Sequence, residues 1–401
     1  MLSTTDFIEL ERLYGAHNYH PLDVVIARGQ GAWLYDVDGR RYLDFLAAYS
    51  AVNQGHCHPR ILGALTAQAS KLTLTSRAFR NDQLPLLLEQ LHFVTGMDMA
   101  LLMNSGAEAV ETAVKAARKW GYQVKGIPKD RAEIIVCDGN FHGRTVTIVS
   151  FSTEEQYREG FGPLTPGFVV VPFGDAAALE RAITPNTCAF LVEPIQGEAG
   201  IVVPPDGYLR QVEAVCRKHN VLFIADEIQS GLGRAGTLFA FQHEKVSPDA
   251  FIIGKALGGG FYPVSAVVAR REVLGVFKPG DHGSTFGGNP LACAVARASL
   301  DVLIEERLPQ RSAALGTTLR EALQAVKSPI IREVRGRGLW VGIELTVPAR
   351  PYCEALRDRG VLCKDTHEHV VRLAPPLVIA EDDLAWAIEQ ISHVLAHPLE
   401  A

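Results

Sequence analysis

The sequence predicts an α/β fold whose large domain contains a mostly parallel, seven-stranded sheet flanked by helices. Two observations predict it. The chain has 401 residues, of which 47% are hydrophobic and 21% are charged, so it can bury an extensive core. Continuous apolar runs also alternate with helical stretches, and strands of this kind are buried on both faces of parallel sheets. The runs are EIIVCD, TVTIVSF, FVVVPF, CAFLVEP, VLFIADE, AFIIG and VSAVVA.

The two ends of the chain predict a smaller α+β domain. In "AWLYDVDGRRYLDF", Asp38 and Gly39 lie between two alternating runs, which is the pattern of a β-hairpin. From about residue 298 the pattern changes to longer helices and a few alternating strands. We therefore expect residues 1–50 and 298–401 to form the small domain, and residues 51–297 to form the large domain.

Charge and cysteine content narrow the possible partners. The net charge is -6 and no long block of like charge occurs, which argues against a nucleic-acid or membrane surface as partner. Seven cysteines without a CxxC pair are typical of reduced thiols. The first residues carry acidic side chains and no apolar core of a signal peptide, and no apolar run approaches the roughly 18 residues of a membrane span. These features predict a cytoplasmic protein.

Charged side chains follow three of the apolar runs. Glu193 ends CAFLVEP, Asp226 and Glu227 end VLFIADE, and Lys255 follows AFIIG. In open α/β sheets, ligand-binding and catalytic residues lie mainly at the carboxyl ends of the strands. A buried lysine costs desolvation unless a charged partner or covalent chemistry compensates for it. A single strand-end carboxylate is as often structural as functional, but a lysine and an aspartate on neighbouring strands indicate a site.

Two helix starts are candidates for binding a phosphate. Ser105 and Glu108 form an S-x-x-E capping box, so a helix begins at Gly106 with free N–H groups at its end. Capping boxes also open many helices that bind nothing. In "HGSTFGGNPLACAVARASL", Asn289 and Pro290 predict a second helix start, and Thr285 lies in the glycine-rich loop before it.

Together these residue types suit pyridoxal phosphate. A lysine can hold the aldehyde covalently, a carboxylate can keep the pyridine nitrogen protonated, and a helix end can anchor the phosphate. The combination predicts a pyridoxal-phosphate enzyme, with Lys255 and Asp226 as its catalytic residues.

Several separated motifs carry a family resemblance over nearly the whole chain. "LFIADEIQSGLGRAGTLFAFQHEKVSPDAFIIGKALGGGFYPVSAV" resembles the signature of the class III aminotransferases of fold type I. Within that class, further segments are similar to the ornithine aminotransferases: GAHNYHPL, SAVNQGHCHP, NFHGRT, VEPIQGEAG, HGSTFGGNPL and VRLAPPLVI. The resemblance implies transfer of the δ-amino group of L-ornithine to 2-oxoglutarate. It also implies a homodimer, or a higher oligomer built on one, that takes amino acids and 2-oxo acids as substrates.

The resemblance also implies the role of each site residue. Lys255 would bind the cofactor aldehyde, Asp226 the pyridine nitrogen and Gln229 the phenolic oxygen. Phe141 would stack on the ring beside His142, and Thr285 would reach the phosphate from the other subunit. The cofactor-binding set is Ser105, Gly106, Ala107, Phe141, His142, Asp226, Gln229, Lys255 and Thr285.

The resemblance divides the substrate-binding residues between two carboxylate positions. Tyr19 and Arg144 would receive the α-carboxylate of ornithine. Arg372 would bind the α-carboxylate of glutamate or 2-oxoglutarate, and Glu198 would pair with Arg372 while ornithine is bound. Tyr49 would shape the pocket around this exchange.

Other interpretations start from short motifs or from the same fold. "GLGRAG" at 231–236 matches a dinucleotide fingerprint, but DEIQS separates it from its strand and no helical stripe follows. "HCH" at 56–58 and "HEH" at 367–369 lack metal partners at helical spacing, so no metal is expected. An aminotransferase acting on 4-aminobutyrate or acetylornithine, an aminomutase and a non-catalytic binding protein remain alternatives. An aminomutase would not need Arg372, and a binding protein would not need Lys255 and Asp226.

Overall fold

The computed structural model describes residues 2–397 and residue 399. Its helices in chain order are α1 (Thr4–Tyr14), α2 (Ala47–Ser50), α3 (Pro59–Ala69), α4 (Leu84–Thr95), α5 (Gly106–Trp120), α6 (Val146–Val149), α7 (Glu155–Arg158), α8 (Ala176–Ala182), α9 (Tyr208–Lys218), α10 (Arg271–Leu274), α11 (Pro290–Glu305), α12 (Leu308–Gln324), α13 (Arg350–Asp358) and α14 (Glu381–Ala396).

The strands form three sheets. They are β1 (Ile26–Gln30), β2 (Trp33–Asp36), β3 (Arg41–Asp44), β4 (Met99–Met103), β5 (Glu133–Cys137), β6 (Phe168–Val171), β7 (Thr187–Val192), β8 (Leu222–Asp226), β9 (Ala250–Ile253), β10 (Ser265–Ala269), β11 (Ile331–Gly336), β12 (Val341–Leu345), β13 (Val361–Leu362), β14 (Lys364–Thr366) and β15 (Val370–Leu373).

The largest sheet has seven strands in the order β4-β10-β9-β8-β7-β5-β6. The pairs from β9 to β6 are parallel, and β10 alone runs antiparallel to both of its neighbours. Successive residues of β5 belong to different hydrophobic clusters, Ile134 to one and Ile135 to the other, because side chains alternate between the faces of a strand. Both faces of the sheet are therefore covered, and the predicted mostly parallel, seven-stranded α/β fold is confirmed.

One of the seven predicted strands is wrong. In TVTIVSF, residues 146–149 form the short helix α6, and the side chain of Thr145 caps it by accepting a hydrogen bond from the Ile148 N–H. The seventh strand is β4, with the sequence MALLM, at the edge of the sheet against β10. Cap formation overrides the strand preference of the β-branched residues in TVTIVSF.

The two smaller sheets come from the ends of the chain. One has the order β1-β2-β3-β13, in which β13 pairs in parallel with β3, so that Val361 faces Leu43. The other has the order β11-β12-β15-β14. The hairpin expected at Asp38 and Gly39 connects β2 to β3. The domain limits at residues 50 and 297 stay a prediction, and α11 runs continuously across the second one.

The glycine motif at 231–236 forms turns, and no α-helix follows it directly. Arg234 within it is fully buried. Its guanidinium donates hydrogen bonds of 2.7 Å to the carbonyl oxygens of Leu339 and Pro375 and one of 2.6 Å to Asn53 Oδ1. The motif therefore joins three distant segments of the chain, and it lacks the helix that a dinucleotide fingerprint requires.

Within residues 2–397, no helix combines the length and the apolar character needed to cross a membrane.

Candidate active site

The carboxyl ends of three adjacent strands meet around one cavity. Glu193 follows β7, Asp226 ends β8 and Lys255 lies two residues beyond β9. All three line a cavity of about 200 Å³, together with Gly106, Ala107, Phe141, His142 and Gln229. The side chains that the strand-end pattern singled out thus lie in one place.

Lys255 begins a short 3₁₀ turn and has a left-handed backbone, with φ of 44°. Burial lowers the pKa of its amine, and the nearby carboxylates of Glu198 and Asp226 oppose that shift without cancelling it. A larger fraction of this amine is therefore neutral than for an exposed lysine. A neutral amine can act as a nucleophile and as a base.

Asp226 is 4% exposed and is held on both carboxylate oxygens. Oδ1 accepts a hydrogen bond of 3.0 Å from the Ile228 N–H, and Oδ2 lies 2.6 Å from Nδ1 of the buried His142. Burial opposes the charge on His142, but the hydrogen bond to Asp226 and the negative charges of Asp226 and Glu193 together outweigh burial, so the histidine pKa is raised. The aspartate therefore presents a fixed, charge-balanced carboxylate to the cavity.

Glu193 connects two loops at the cavity wall. Oε2 accepts a hydrogen bond of 3.0 Å from the Phe141 N–H, and Oε1 accepts one of 3.2 Å from the Gly197 N–H. Burial raises the pKa of this carboxyl group to about 7, although His142 and the two amides favour its charged form. Glu193 thereby fixes the backbone of Phe141, the residue expected to stack on the cofactor.

The start of α5 has the predicted capping box. The Ser105 N–H donates to Glu108 Oε2 at 2.6 Å, and the Glu108 N–H donates to Ser105 Oγ at 3.2 Å. The first N–H groups of a helix, here those of Gly106 and Ala107, have no carbonyl partner within the helix. Since both residues line the cavity, these donors and the helix dipole favour an anion there.

An ion pair between a buried arginine and a partly buried glutamate lies beside Lys255. Arg372, which is 3% exposed on β15, places Nη1 2.7 Å from Glu198 Oε1. Arg372 and Lys255 lower the pKa of Glu198, although burial opposes this. Gln229 donates a weak hydrogen bond of 3.4 Å to the same carboxylate. A Cβ atom at Gly197 would lie 1.7 Å from Gln229 Oε1, so any side chain at position 197 would displace the amide group of this glutamine.

Tyr49 covers the other side of Arg372. The guanidinium carbon lies 4.8 Å from the centre of the tyrosine ring. The turn that carries Tyr49 is α2, in which residues 47–50 all have positive φ, between 46° and 71°. Left-handed L-residues cost roughly 1–2 kcal/mol each, so this strained turn needs support from its surroundings. Asp44 supports the turn, because its Oδ1 accepts hydrogen bonds from the N–H groups of Leu46 and Ala47.

Three predicted residues lie outside this cluster. Tyr19 is 78% exposed. Thr285 is also exposed, and its neighbour Ser284 accepts a hydrogen bond from Asn104, next to the start of α5. Arg144 is exposed, and its guanidinium carbon lies 3.9 Å from the ring centre of Tyr157 and 5.5 Å from that of Phe141. Sequence reasoning missed Tyr157, because a single tyrosine in a polar segment carries no distinctive pattern.

A comparison with protein families decides the class. Residues 14–395 match the family described as aminotransferase class-III. The chain belongs to the class III aminotransferases. This aminotransferase is 60% identical over 396 residues to the ornithine aminotransferase of Geobacillus sp. (strain WCH70), covering 99% of this chain and 100% of the relative. It is also 60% identical to the ornithine aminotransferase of Bacillus subtilis (strain 168), covering 97% of each.

Solved structures give the same picture. The ornithine aminotransferase of Toxoplasma gondii, whose active site is partly occupied by pyridoxal phosphate, superposes with a TM-score of 0.97 at 47% identity, covering 98% of this chain and 94% of that one. The acetylornithine aminotransferase of Elizabethkingia anophelis superposes with a TM-score of 0.91 at 50% identity, covering 98% of this chain and 99% of that one. The aminotransferase fold and family are therefore common to enzymes named for two different substrates.

The cavity fits the cofactor of the family. It has a lysine amine of lowered pKa, a buried carboxylate held by a histidine, and free helix N–H groups on one wall. These are the three partners that an aldehyde, a pyridine nitrogen and a phosphate require. The side chains of Lys255 and Asp226 and the start of α5 thus suit pyridoxal phosphate.

Proposed function

We propose that this aminotransferase moves the δ-amino group of L-ornithine to 2-oxoglutarate, giving L-glutamate 5-semialdehyde and L-glutamate. The observation that carries the proposal is the closed pair of Glu198 with the buried Arg372 next to Lys255. An α-amino acid needs a cation beside the reacting carbon, and here that cation is already neutralised. The pair therefore favours a substrate that reacts at a terminal amine and carries its carboxylate farther away. The names of the 60%-identical relatives support the same substrate.

Pyridoxal phosphate is the proposed cofactor. When bound, it withdraws electrons from the carbon that carries the amino group, so that a proton can leave that carbon. Lys255 would hold it covalently, Asp226 would keep its ring nitrogen protonated, and Phe141 would cover one face of the ring. The phosphate would be held by the α5 start at Ser105, Gly106 and Ala107, and the remaining contacts by His142, Gln229 and Thr285.

Lys255 would also move the proton. Once the substrate amine has displaced it from the cofactor aldehyde, its Nζ, partly neutral because burial lowers the pKa, would take the proton from the substrate carbon that carries the reacting nitrogen and would deliver it to the aldehyde carbon of the cofactor. The reaction with 2-oxoglutarate would run this transfer in reverse. Holding this amine within the cavity avoids the cost of a collision with a base from solution. Glu193 and His142 keep Phe141 and Asp226 in place while this happens.

Two carboxylate sites would alternate during the reaction. The α-carboxylate of ornithine would bind Arg144, which forms no salt bridge within residues 2–397, together with Tyr19. For the second substrate, Glu198 would release Arg372, which would then bind the α-carboxylate of 2-oxoglutarate. Tyr49 over the guanidinium of Arg372 would limit the space around this exchange.

N-acetylornithine is the second candidate substrate. The acetylornithine aminotransferase of Elizabethkingia anophelis is as similar to this chain as the Toxoplasma gondii ornithine enzyme is, at 50% and 47% identity. Both substrates react at a terminal amine and would present the same carboxylate to Arg144. They differ in the α-nitrogen, which is charged only in ornithine.

The test is a direct comparison of substrates. The purified holoenzyme is incubated with 2-oxoglutarate and either ornithine, N-acetylornithine or 4-aminobutyrate, and kcat/KM is measured for each. The proposal expects ornithine to be preferred at least tenfold and glutamate 5-semialdehyde to form. A higher kcat/KM with N-acetylornithine would show that N-acetylornithine, and not ornithine, is the substrate. No turnover with any of the three amines would overturn the proposed transamination.

The Glu198 switch has its own test. Glu198→Gln removes the charge that masks Arg372, so the half-reaction with glutamate should accelerate and that with ornithine should slow. The two changes together should shift the ratio of rates by about tenfold or more, as expected for loss of one charged hydrogen bond. The exposed Glu389→Gln serves as the control. An unchanged ratio would contradict this account of specificity.

We also propose that the enzyme is a homodimer in the cytoplasm, with Thr285 of one subunit near the phosphate site of the other. The exposed Thr285 and the 46% exposed Phe286 in the loop before α11 suit such a contact. Sedimentation should give the mass of a dimer, and Thr285→Ala should weaken cofactor retention more than the exposed control Thr318→Ala. A monomeric, fully active enzyme would exclude a shared site.

A further inference from the structure

Arg144 has an unusual set of contacts for a surface arginine. Within the described residues its guanidinium contacts two aromatic rings, those of Tyr157 and Phe141, and forms no salt bridge or side-chain hydrogen bond. A guanidinium has five N–H donors. A ring face stabilises its charge without using any of them. Arg144 is therefore held in position with its donors free for an anion.

Tyr157 is the closer of the two rings. It lies on α7, is half-buried, and meets Phe141 edge to face, with 6.0 Å between the ring centres and an interplanar angle of 76°. One ring thus contacts both the residue expected to cover the cofactor and the residue expected to bind the substrate carboxylate.

The segment that carries Tyr157 is attached at two points. Thr153 Oγ1 accepts a hydrogen bond of 2.9 Å from the Gly139 N–H, close to the end of β5. Glu154 lies 3.6 Å from Nδ1 of His367, in the turn between β14 and β15. Next to it, Thr366 Oγ1 donates to the Glu198 carbonyl at 2.7 Å. The short helix is therefore tied both to the large sheet and to the strands around Arg372.

We propose that Tyr157 is a specificity-positioning residue, whose ring holds the Arg144 guanidinium where it receives a carboxylate remote from the reacting amine. This rests on the proposed function, because it takes ornithine as the substrate whose carboxylate Arg144 binds. Tyr157 acts through Arg144 and not on the reacting atoms. The contact with Arg144 is made by the aromatic face of Tyr157. A phenylalanine at position 157 should therefore preserve this role.

The expected effect is on substrate binding. A cation–π contact of this kind is worth a factor of about three to thirty in affinity. Tyr157→Leu should therefore raise the KM for ornithine by about three- to thirtyfold and leave kcat within about twofold. Tyr157→Phe should keep the wild-type KM. 2-Oxoglutarate carries a second carboxylate remote from its keto carbon, so its KM cannot serve as a control for Arg144. The control is the dissociation constant of pyridoxal phosphate, which should stay near its wild-type value in both variants.

The experiment combines steady-state kinetics with a double-mutant cycle. Wild type, Tyr157→Leu, Tyr157→Phe, Arg144→Gln and the Tyr157→Leu/Arg144→Gln double variant are prepared as holoenzymes. If Tyr157 acts through Arg144, the leucine change adds nothing once Arg144 is gone. The dissociation constant of pyridoxal phosphate is measured for each variant as a readout independent of turnover, and it should stay within about twofold of wild type.

The outcomes separate this proposal from the function it rests on. If Arg144→Gln leaves the KM for ornithine unchanged, the carboxylate assignment in the proposed function fails. If Arg144→Gln raises that KM but Tyr157→Leu does not, or if their effects simply add, the positioning role fails. Weaker cofactor binding in Tyr157→Leu would mean that the ring acts through Phe141, and would also overturn it.

Discussion

Lys255 illustrates how single residues determine the chemistry of this aminotransferase. It lies directly beyond a fully buried strand, and its neighbours within the cavity include the carboxylates of Asp226 and Glu193. Burial lowers the pKa of the amine, whereas an exposed lysine would stay fully charged at neutral pH. The covalent and proton-transfer roles proposed for Lys255 therefore both depend on this one position in the fold.

Lys255→Ala should lower turnover by at least about a hundredfold while the chain stays folded, because the change removes the amine that would bind the cofactor and move the proton. The exposed Lys327→Ala is the matched control and should behave as wild type. Transamination rates and far-ultraviolet circular dichroism check the two halves of the prediction. Normal rates in the alanine variant would remove Lys255 from the mechanism.

The sequence predicted the residues of the site better than it predicted their contacts. Lysine and aspartate at strand ends are a recognisable pattern, and the structure brings Lys255 and Asp226 to one cavity. The 2.6 Å contact of His142 with Asp226 and the role of Glu193 in holding Phe141 depend on loops that meet only in three dimensions. Such pairings leave no periodic signal in one sequence.

At the scale of elements, the left-handed turn α2 stores conformational strain. Its four residues have positive φ although none is glycine, and it carries Tyr49 to Arg372. Strain of this kind often accompanies functional positions. Here the strain would lower the stability of the fold, and the turn would place the ring of Tyr49 over Arg372.

Glycine at Ala48 should relieve part of that strain. Ala48 is exposed with φ of 46°, so Ala48→Gly loses no packing and should raise the free energy of unfolding by roughly 1 kcal/mol. Ala67→Gly is the matched control, because the same change within the regular helix α3 should lower stability by a similar amount. Chemical denaturation measures both. A destabilised Ala48→Gly variant would show that the turn is not strained.

Helix caps were more predictable than strand identities. The capping box at Ser105 and the cap at Asn289 were recognisable because each needs only a few neighbouring residues. TVTIVSF was wrongly predicted to be a strand and MALLM was not predicted to be one, for opposite reasons. The first has the β-branched residues of a strand but begins with a threonine cap, whereas the second has none and becomes a strand by pairing with β10.

At the scale of the whole molecule, buried carboxyl groups make stability depend on pH. Burial raises the pKa of Glu227 from 4.5 to about 7, against the opposing hydrogen bonds from Ser230 and the Phe241 N–H. The folded state then binds more protons than the unfolded state between these two values. Stability contributed by this group is therefore lost as the pH rises from about 4.5 to about 7.

Glu227→Gln should remove this loss. Two to three pKa units correspond to roughly 3 kcal/mol. The free energy of unfolding of the variant, relative to that of wild type, should therefore increase by about this amount between pH 5 and pH 8. The free energy of unfolding at the two pH values measures it. Glu389→Gln, at an exposed position, should keep the wild-type difference between the two pH values. An equal pH dependence in Glu227→Gln would exclude the glutamate as its source.

The architecture of the large sheet was predictable because its strands lie in apolar runs of the sequence. The pairing of strands from the N-terminal and C-terminal segments was only partly predictable. Alternating residues around Asp38 and Gly39 predicted the hairpin. Nothing in the two-residue strand Val361–Leu362 predicts that it pairs with β3, because so short a segment has no periodicity. The hydrogen bonds of Arg234 with Asn53, Leu339 and Pro375 could not be predicted from sequence patterns either.

The pairing of β3 with β13 also has a consequence for biosynthesis. A ribosome releases Leu43 early and its partner Val361 only when most of the chain has been made. During that interval β2 covers one edge of β3 and the other edge waits for its partner. Contacts between such distant residues form slowly, and an open strand edge attracts other chains. A nascent chain that stalls before residue 361 therefore carries an unpaired edge that needs a chaperone, or it aggregates.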